Sequence, residues 1–188
     1  MYFFYTNFIK EMFQIKNKGK IFEEDWKKSV PDYCLAIRLP DPPQAFTQRS
    51  DTKFSHKNPC DYIIFDGFRR ILYPMELKST KSKSFTVQLT EDGGDNKMVK
   101  YHQIEGLTKM SRYECVQPLF VFNFRNEKTG KQITYMQKIQ DFNRMMSEVE
   151  KASFNESDLN LYEAIEVPGD KKRTRYTWDI DGALDYVE

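Results

Sequence analysis

The chain has 188 residues, enough for one domain with a sizeable core. Its 29 basic and 28 acidic residues leave a formal net charge of +1, so net charge alone indicates no partner. The charges are unevenly distributed: residues 1–90 carry 15 Lys and Arg against 10 Asp and Glu, whereas residues 91–188 carry 14 against 18. The N-terminal half is therefore the half expected to face phosphates.

The cysteines, histidines and glycines exclude several kinds of site. Cys34, Cys60 and Cys115 are widely spaced and form no C-x-x-C pair, which excludes a cysteine-built zinc site and suits a reducing compartment. The two histidines, His56 and His102, are too few to complete a zinc site. The sequence also has no glycine-rich phosphate loop and no G-x-S-x-G elbow, which argues against nucleotide-binding and serine-hydrolase families.

The opening residues are apolar but too few to cross a membrane. The run MYFFYTNFIKEMF is far shorter than a membrane span and lacks the basic start of a signal peptide. We therefore expect a cytoplasmic protein without membrane association. The pattern over residues 1–30 predicts a helical segment, interrupted at Gly19, that docks on the core or on a second subunit.

A 20-residue stretch from Pro40 to Pro59 contains four prolines and little periodicity. Loops this long in a compact domain are usually functional or disordered. Its aromatic and basic side chains suit a protruding arm that contacts nucleic acid, because aromatics stack on bases while cations hold the backbone. These side chains are Phe46, Arg49, Lys53, Phe54 and Lys57. A plain flexible loop is the alternative interpretation.

The other segments predict strands and helices. CLAIRL is a short strand before the proline-bearing stretch, and DYIIF and RILYPMELKS are two strands joined by the turn Asp66-Gly67. NKMVKYHQIEGLTKMSRYE and QDFNRMMSEVEKAS have helical apolar faces, and PLFVFNFR and QITYMQKI are strands between them. GDKKRTR is interpreted as a basic loop before a last strand, RYTWDID. We predict an α/β fold, one domain over residues 1–188 with a mixed central β-sheet flanked by helices.

One acid-x-Lys triplet stands out among the five in the chain. Glu76 and Lys78 end an apolar strand, and because strand residues two apart share a face, both project together while Leu77 turns into the core. If Asp61 on the preceding strand lies beside Glu76, the two carboxylates need a compensating cation. Hard carboxylate oxygens suit Mg²⁺ or Mn²⁺, which can activate water and neutralise charge on a phosphodiester. The alternative is a surface hairpin with a Glu–Lys pair.

These residues resemble the PD-(D/E)-x-K nuclease superfamily, and within it the RecU-type Holliday junction resolvases. NKGKIFEEDW resembles the family's opening helix and places Glu23 at its helix carboxylate, and RLPDPPQAF is similar to the entry of its stalk. HQI at residues 102–104 matches the family's His-Gln-Ile helix motif. The motifs occur in the family's order over residues 15–140, with Pro59 where the family typically has a hydroxyl residue.

The resemblance implies a restriction-endonuclease-like domain with a protruding, proline-bearing stalk at residues 40–59. It implies that Asp61, Glu76 and Gln103 hold Mg²⁺ (or Mn²⁺) and that Lys78 stabilises the transition state. Glu23 would orient the site. These five are the expected catalytic residues.

The resemblance also implies a partner and an assembly. The substrate would be branched DNA, a four-way junction, and the enzyme would be a homodimer, because two symmetric cuts require two equivalent sites. The stalk residues named above, together with Lys81 and Lys83, would contact the DNA, with an affinity that falls as salt rises. The implied function is a structure-selective endonuclease in DNA recombination and repair. The alternatives are a superfamily nuclease of restriction or repair type, or a junction-binding protein that does not cleave.

Overall fold

The computed structural model describes residues 18–40, 58–94 and 96–187. The first part of the predicted helical segment and most of the predicted stalk, with Phe46, Arg49, Lys53, Phe54 and Lys57, lie outside the described residues. The described elements, in chain order, are α1 (Lys18–Ser29), β1 (Cys34–Arg38), β2 (Tyr62–Asp66), β3 (Ile71–Thr80), β4 (Ser84–Thr86), α2 (Tyr101–Met110), β5 (Leu119–Arg125), β6 (Gln132–Lys138), α3 (Ile139–Glu148), β7 (Ser153–Asn155), α4 (Glu156–Leu161), β8 (Ile165–Val167), β9 (Gly169–Lys172), β10 (Arg175–Trp178) and α5 (Ile180–Leu184).

The main sheet has six strands in the order β1-β2-β3-β5-β6-β8. Its neighbours pair antiparallel except β3 and β5, which are parallel and are connected through a crossover that includes α2. The predicted α/β class, with a mixed central sheet and flanking helices, is confirmed. Two small antiparallel pairs, β4 with β7 and β9 with β10, complete the strands of the described residues.

The hairpin of β2 and β3 forms where the sequence predicts it. Asp66 is buried and its Oδ1 accepts hydrogen bonds from the backbone N–H groups of Phe68 and Arg69, so the side chain closes the turn. Tyr62 pairs with Met75 and Asp66 with Ile71 across the hairpin. The register sets which residues of β2 and β3 lie side by side.

Two apolar cores lie on opposite faces of the sheet. On one face α1 contributes Phe22 and Trp26, which belong to the same cluster as the odd-numbered β3 residue Leu77. On the other face α2 and α3 contribute Leu107 and Phe142. The three phenylalanines of β5 on this second face are at most 5% exposed, so they pack in the core and offer no surface for base stacking; they are Phe120, Phe122 and Phe124.

The C-terminal strands fasten α1. The prediction that GDKKRTR is a loop is wrong in part, because Gly169–Lys172 forms β9 and pairs with β10. Asp25, buried on α1, accepts hydrogen bonds from the Arg175 guanidinium and, at 3.1 Å, from the backbone N–H of Tyr176. Ser29 Oγ accepts the Trp178 backbone N–H at 2.9 Å. Residues that sequence patterns leave without a role therefore hold the helix that carries Glu23.

Within residues 18–40, 58–94 and 96–187, no helix is both long and apolar enough to span a membrane.

Candidate active site

Strand pairing brings Asp61 against the strand that carries Glu76. The backbone N–H of Asp61 donates to the carbonyl of Met75 at 3.0 Å, and Asp61 Oδ2 accepts from the backbone N–H of Leu77 at 2.8 Å. Asp61 thus contacts the residues immediately before and after Glu76. The proximity expected from the sequence is present.

Glu76 is the centre of a compact polar cluster. It is 2% exposed, although it is a carboxylate. Lys78 Nζ lies 2.8 Å from Glu76 Oε1, and Gln103 Nε2 donates a hydrogen bond to the same oxygen. Leu77, between the two charged residues, packs in the core beside α1, so the alternation of β3 separates apolar from polar faces.

Gln103 is held at the start of α2 by its own helix. Its Oε1 accepts the backbone N–H of Lys100 at 3.0 Å, which satisfies one of the free donors at a helix N-terminus. Its amide nitrogen therefore faces Glu76 while its amide oxygen, the atom that a cation would need, is engaged by the backbone. This geometry orients the Glu76 carboxylate.

Glu23 lies at the margin of the cluster. Its Oε2 is 3.1 Å from the Arg38 guanidinium at the end of β1, and its charge adds to the burial that raises the pKa values of both Asp61 and Glu76. Arg38 was not identified from the sequence. The only available signal is its place as the last residue of a strand, immediately before the proline-bearing stretch.

Burial dominates the electrostatics of the cluster. Loss of solvent raises the pKa of Glu76 to about 7, with the Lys78 ammonium opposing the shift and the charge of Asp61 adding to it. Burial also raises the pKa of Asp61, against the hydrogen bond from Leu77. Burial and these two carboxylates raise the pKa of the Cys60 thiol to about 12. A site that concentrates negative charge away from water favours a bound cation.

The ligands offered by the described residues suit a hard divalent cation. No group of three or more His, Cys, Asp or Glu side chains forms a metal cluster within the described ranges. Magnesium requires few protein ligands, because it keeps several waters and shares coordination with substrate phosphates. Asp61 and Glu76 as a pair fit that requirement, and the ammonium of Lys78 offsets part of their charge.

Pro59 sets the distance between α2 and the site. A Cβ at Gly106 of α2 would lie 2.9 Å from the Pro59 Cβ, closer than real Cβ contacts. The helix that presents Gln103 thus approaches the residue two positions before Asp61 through a glycine. Pro59, the residue at which the chain departs from the resolvase pattern, therefore packs against α2.

Gly106→Ala is expected to destabilise the protein by about 1–3 kcal/mol through this clash. An ordinary helix-interior Gly→Ala change stabilises by about 1 kcal/mol, so the sign separates close packing from helix propensity. Urea unfolding of the variant measures the effect, with Glu105→Ala on the exposed side of α2 as the control. A gain in stability would show that α2 tolerates a side chain at this contact.

The predicted DNA-contacting lysines of the β3–β4 connection are accessible. Lys81 and Lys83 are exposed and line an open cleft at the end of β3. The other predicted DNA-contacting residues lie outside the described residues; they are Phe46, Arg49, Lys53, Phe54 and Lys57.

No protein-family model matches the chain. The chain is 30% identical over 177 residues to the SPbeta prophage-derived uncharacterized protein YotM of Bacillus subtilis (strain 168), covering 88% of this chain and 84% of that protein. The chain belongs to the family of YotM. Among solved structures, the Archaeoglobus fulgidus Holliday junction resolvase Hjc matches with a TM-score of 0.42 and 17% sequence identity, over 76% of this chain and 88% of that chain.

Proposed function

We propose that the protein is a divalent-metal-dependent, structure-selective DNA endonuclease that resolves Holliday junctions by paired symmetric nicks. The observation that carries the proposal is the convergence of Asp61 and Lys78 on the buried Glu76 at the β2–β3 hairpin. A buried carboxylate with a pKa near 7 costs free energy in a purely structural role. Such groups are more often found at functional sites.

Each residue of the cluster has a chemical role in this proposal. Asp61 and Glu76 would hold Mg²⁺ or Mn²⁺, and the cation would polarise the phosphodiester and lower the pKa of a bound water. Lys78, which pairs with Glu76, would stabilise negative charge on the phosphate in the transition state. Gln103 would fix the Glu76 carboxylate, and its oxygen could reach the cation only by releasing the Lys100 N–H. Glu23 with Arg38 would set the local charge.

The proposal extends to assembly and substrate. A homodimer would present two equivalent sites to opposing strands of a junction, and the stalk at residues 40–59 would reach into the branched DNA. The relative's prophage origin is compatible with a recombination role, and we place the activity in the cytoplasm. A superfamily nuclease with another target and a junction binder without cleavage are the competing functions.

The deciding experiment is cleavage of a labelled four-way junction and a matching linear duplex with Mg²⁺, Mn²⁺ or EDTA. We expect paired nicks in the junction alone, abolished by EDTA and by Asp61→Ala. The matched control is Asp170→Ala, which removes the acid of another acid-x-Lys triplet, on the exposed strand β9. Equal cutting of both substrates would indicate a general nuclease, and tight junction binding without cutting would indicate a binding protein.

A further inference from the structure

A basic cleft lies beyond the carboxylate cluster, at the end of the sheet where β3 and β5 finish. Its volume is about 470 Å³, and it lies between the β3–β4 connection and the β5–β6 turn. Five basic residues line it, namely Lys81, Lys83, Arg125, Lys128 and Lys131. Two acidic residues, Glu127 and Glu156, also line it, so the lining has a clear positive excess.

Four of the five cations of the cleft are available to a ligand, whereas the fifth, Arg125, has its Nη1 3.5 Å from Glu127 Oε1. The lysines at 81, 83, 128 and 131 are exposed, and none of them forms an ion pair with another described residue. Exposed ammonium groups grouped around one concavity repel one another, and a polyanion relieves that repulsion. The arrangement favours an anionic ligand with several charges.

Arg125 differs from the lysines because it is held in place. Its Nε donates to Ser79 Oγ at 2.9 Å, and Ser79 Oγ donates to Asn123 Oδ1 at 2.8 Å. Asn123, fully buried, donates in turn to Thr134 Oγ1 at 2.9 Å. This chain of hydrogen bonds across three strands fixes the guanidinium at the mouth of the cleft. A fixed guanidinium binds a phosphate with less loss of side-chain entropy than a mobile one.

The cleft lies further along β3 than the candidate active site. Ser79 directly follows Lys78 on β3, and Lys81 lies five residues beyond Glu76. At about 3.3 Å per residue, Lys81 is about 16 Å along the strand from Glu76. A duplex rises about 3.4 Å per base pair, so a single arm of a few base pairs is long enough to reach both places.

The lining favours duplex backbone over unpaired bases. Single-strand binding proteins present exposed aromatic side chains on which bases stack. The aromatic residue of this lining, Phe124, is 5% exposed and packs in the sheet. A second, smaller concavity of about 270 Å³ shares Arg125 and Lys131 and adds Lys18 at the start of α1, which extends the positive surface around the β5–β6 turn.

We propose that this cleft binds the sugar-phosphate backbone of a duplex arm of the substrate, with Arg125 as its fixed anchor. The inference rests on the proposed function, because the duplex is the substrate that the carboxylate cluster would cut. Phosphate contacts carry no sequence information, so the cleft contributes affinity and register rather than base preference.

The test compares Lys128→Ala/Lys131→Ala with Lys27→Ala/Lys28→Ala, both in an Asp61→Asn background in EDTA. The control pair is exposed at the other end of α1, about 14 Å along the helix from Lys18. Anisotropy titrations with a labelled duplex and a labelled junction, repeated over a range of salt, give the slope of log K against log salt. We expect the slope to become less negative by about 2 in the cleft variant, whatever the DNA sequence. In the control variant the slope should stay unchanged.

Hydroxyl-radical footprinting shows which part of the duplex backbone the cleft contacts. Protection of the duplex backbone to one side of the bond that the wild type nicks should be lost in the cleft variant. An unchanged slope and footprint in the cleft variant, with junction cleavage by the wild type in Mg²⁺, would overturn the cleft assignment and leave the nuclease proposal standing. An equal loss in the control pair would do the same. Tighter binding of single strands than of duplex would overturn the duplex assignment. A wild-type protein that neither binds nor cuts DNA would overturn the proposed function itself.

Discussion

Asp61→Asn is expected to reduce junction cleavage at least about 1000-fold, which corresponds to about 4 kcal/mol of transition-state stabilisation. The change removes the negative charge of one of two proposed cation ligands, and a neutral amide is a weak ligand for Mg²⁺. The amide oxygen keeps the shape of the carboxylate oxygen that accepts the Leu77 N–H. Single-turnover cleavage of a labelled junction at saturating enzyme measures the loss.

The same variant should fold at least as stably as the wild type at pH 8. Burial raises the pKa of Asp61, so its ionised form costs the native state free energy above the pKa of the unfolded chain. Asparagine avoids that cost, and the difference should shrink as the pH falls through the raised pKa. Thermal melting in EDTA at pH 8 and pH 5 measures it. If the Tm of the variant at pH 8 is lower than that of the wild type, the loss of activity is explained by unfolding.

The second large effect is expected in the pH dependence of cation binding. Because the pKa of Glu76 is raised to about 7, its carboxyl is mostly protonated below that pH, and the proton must leave before a cation is bound. Mg²⁺ affinity should therefore fall about tenfold from pH 8 to pH 6. Calorimetric titrations at pH 6 in two buffers of different ionisation enthalpy should report release of nearly one proton.

Lys78→Met should move this dependence to higher pH. The Lys78 ammonium is the main group that holds the pKa of Glu76 down, so its removal raises that pKa further. Lys109→Met is the control, because Lys109 pairs with the exposed Glu105 on α2 at 2.8 Å. A pH profile that does not move in the Lys78 variant would mean that Glu76 is not the group that competes with the cation.

The core of the candidate site follows from local sequence patterns. A hairpin turn between two apolar strands sets the register of Asp61 against residues 75–77, and the two-residue period of β3 places Glu76 and Lys78 on one face. Both the position of Asp61 and the shared face of Glu76 and Lys78 can be inferred from the residues of a single hairpin. The roles assigned to these side chains in catalysis stay predictions.

The parts that the sequence did not indicate depend on contacts between distant residues. The pairing of Glu23 with Arg38 and the link from Ser79 to Arg125 join different elements, and no period or turn signal identifies such partners. The strand β9 was missed because its pattern, GDKK, is exposed at every position and lacks apolar alternation. Its structure comes from pairing with β10, whose Trp178 packs on Gly169.

The fastening of α1 by the last strands affects the order in which the protein matures. Ribosomes make the N-terminal helix first, yet its buried Asp25 finds its partners only when residues 175 and 176 have been made. A nascent or prematurely ended chain therefore carries all the carboxylates of the site while α1, which bears Glu23, lacks these C-terminal contacts. We therefore expect a chain that ends before residue 175 to hold α1, and with it Glu23, less firmly than a chain that includes β10.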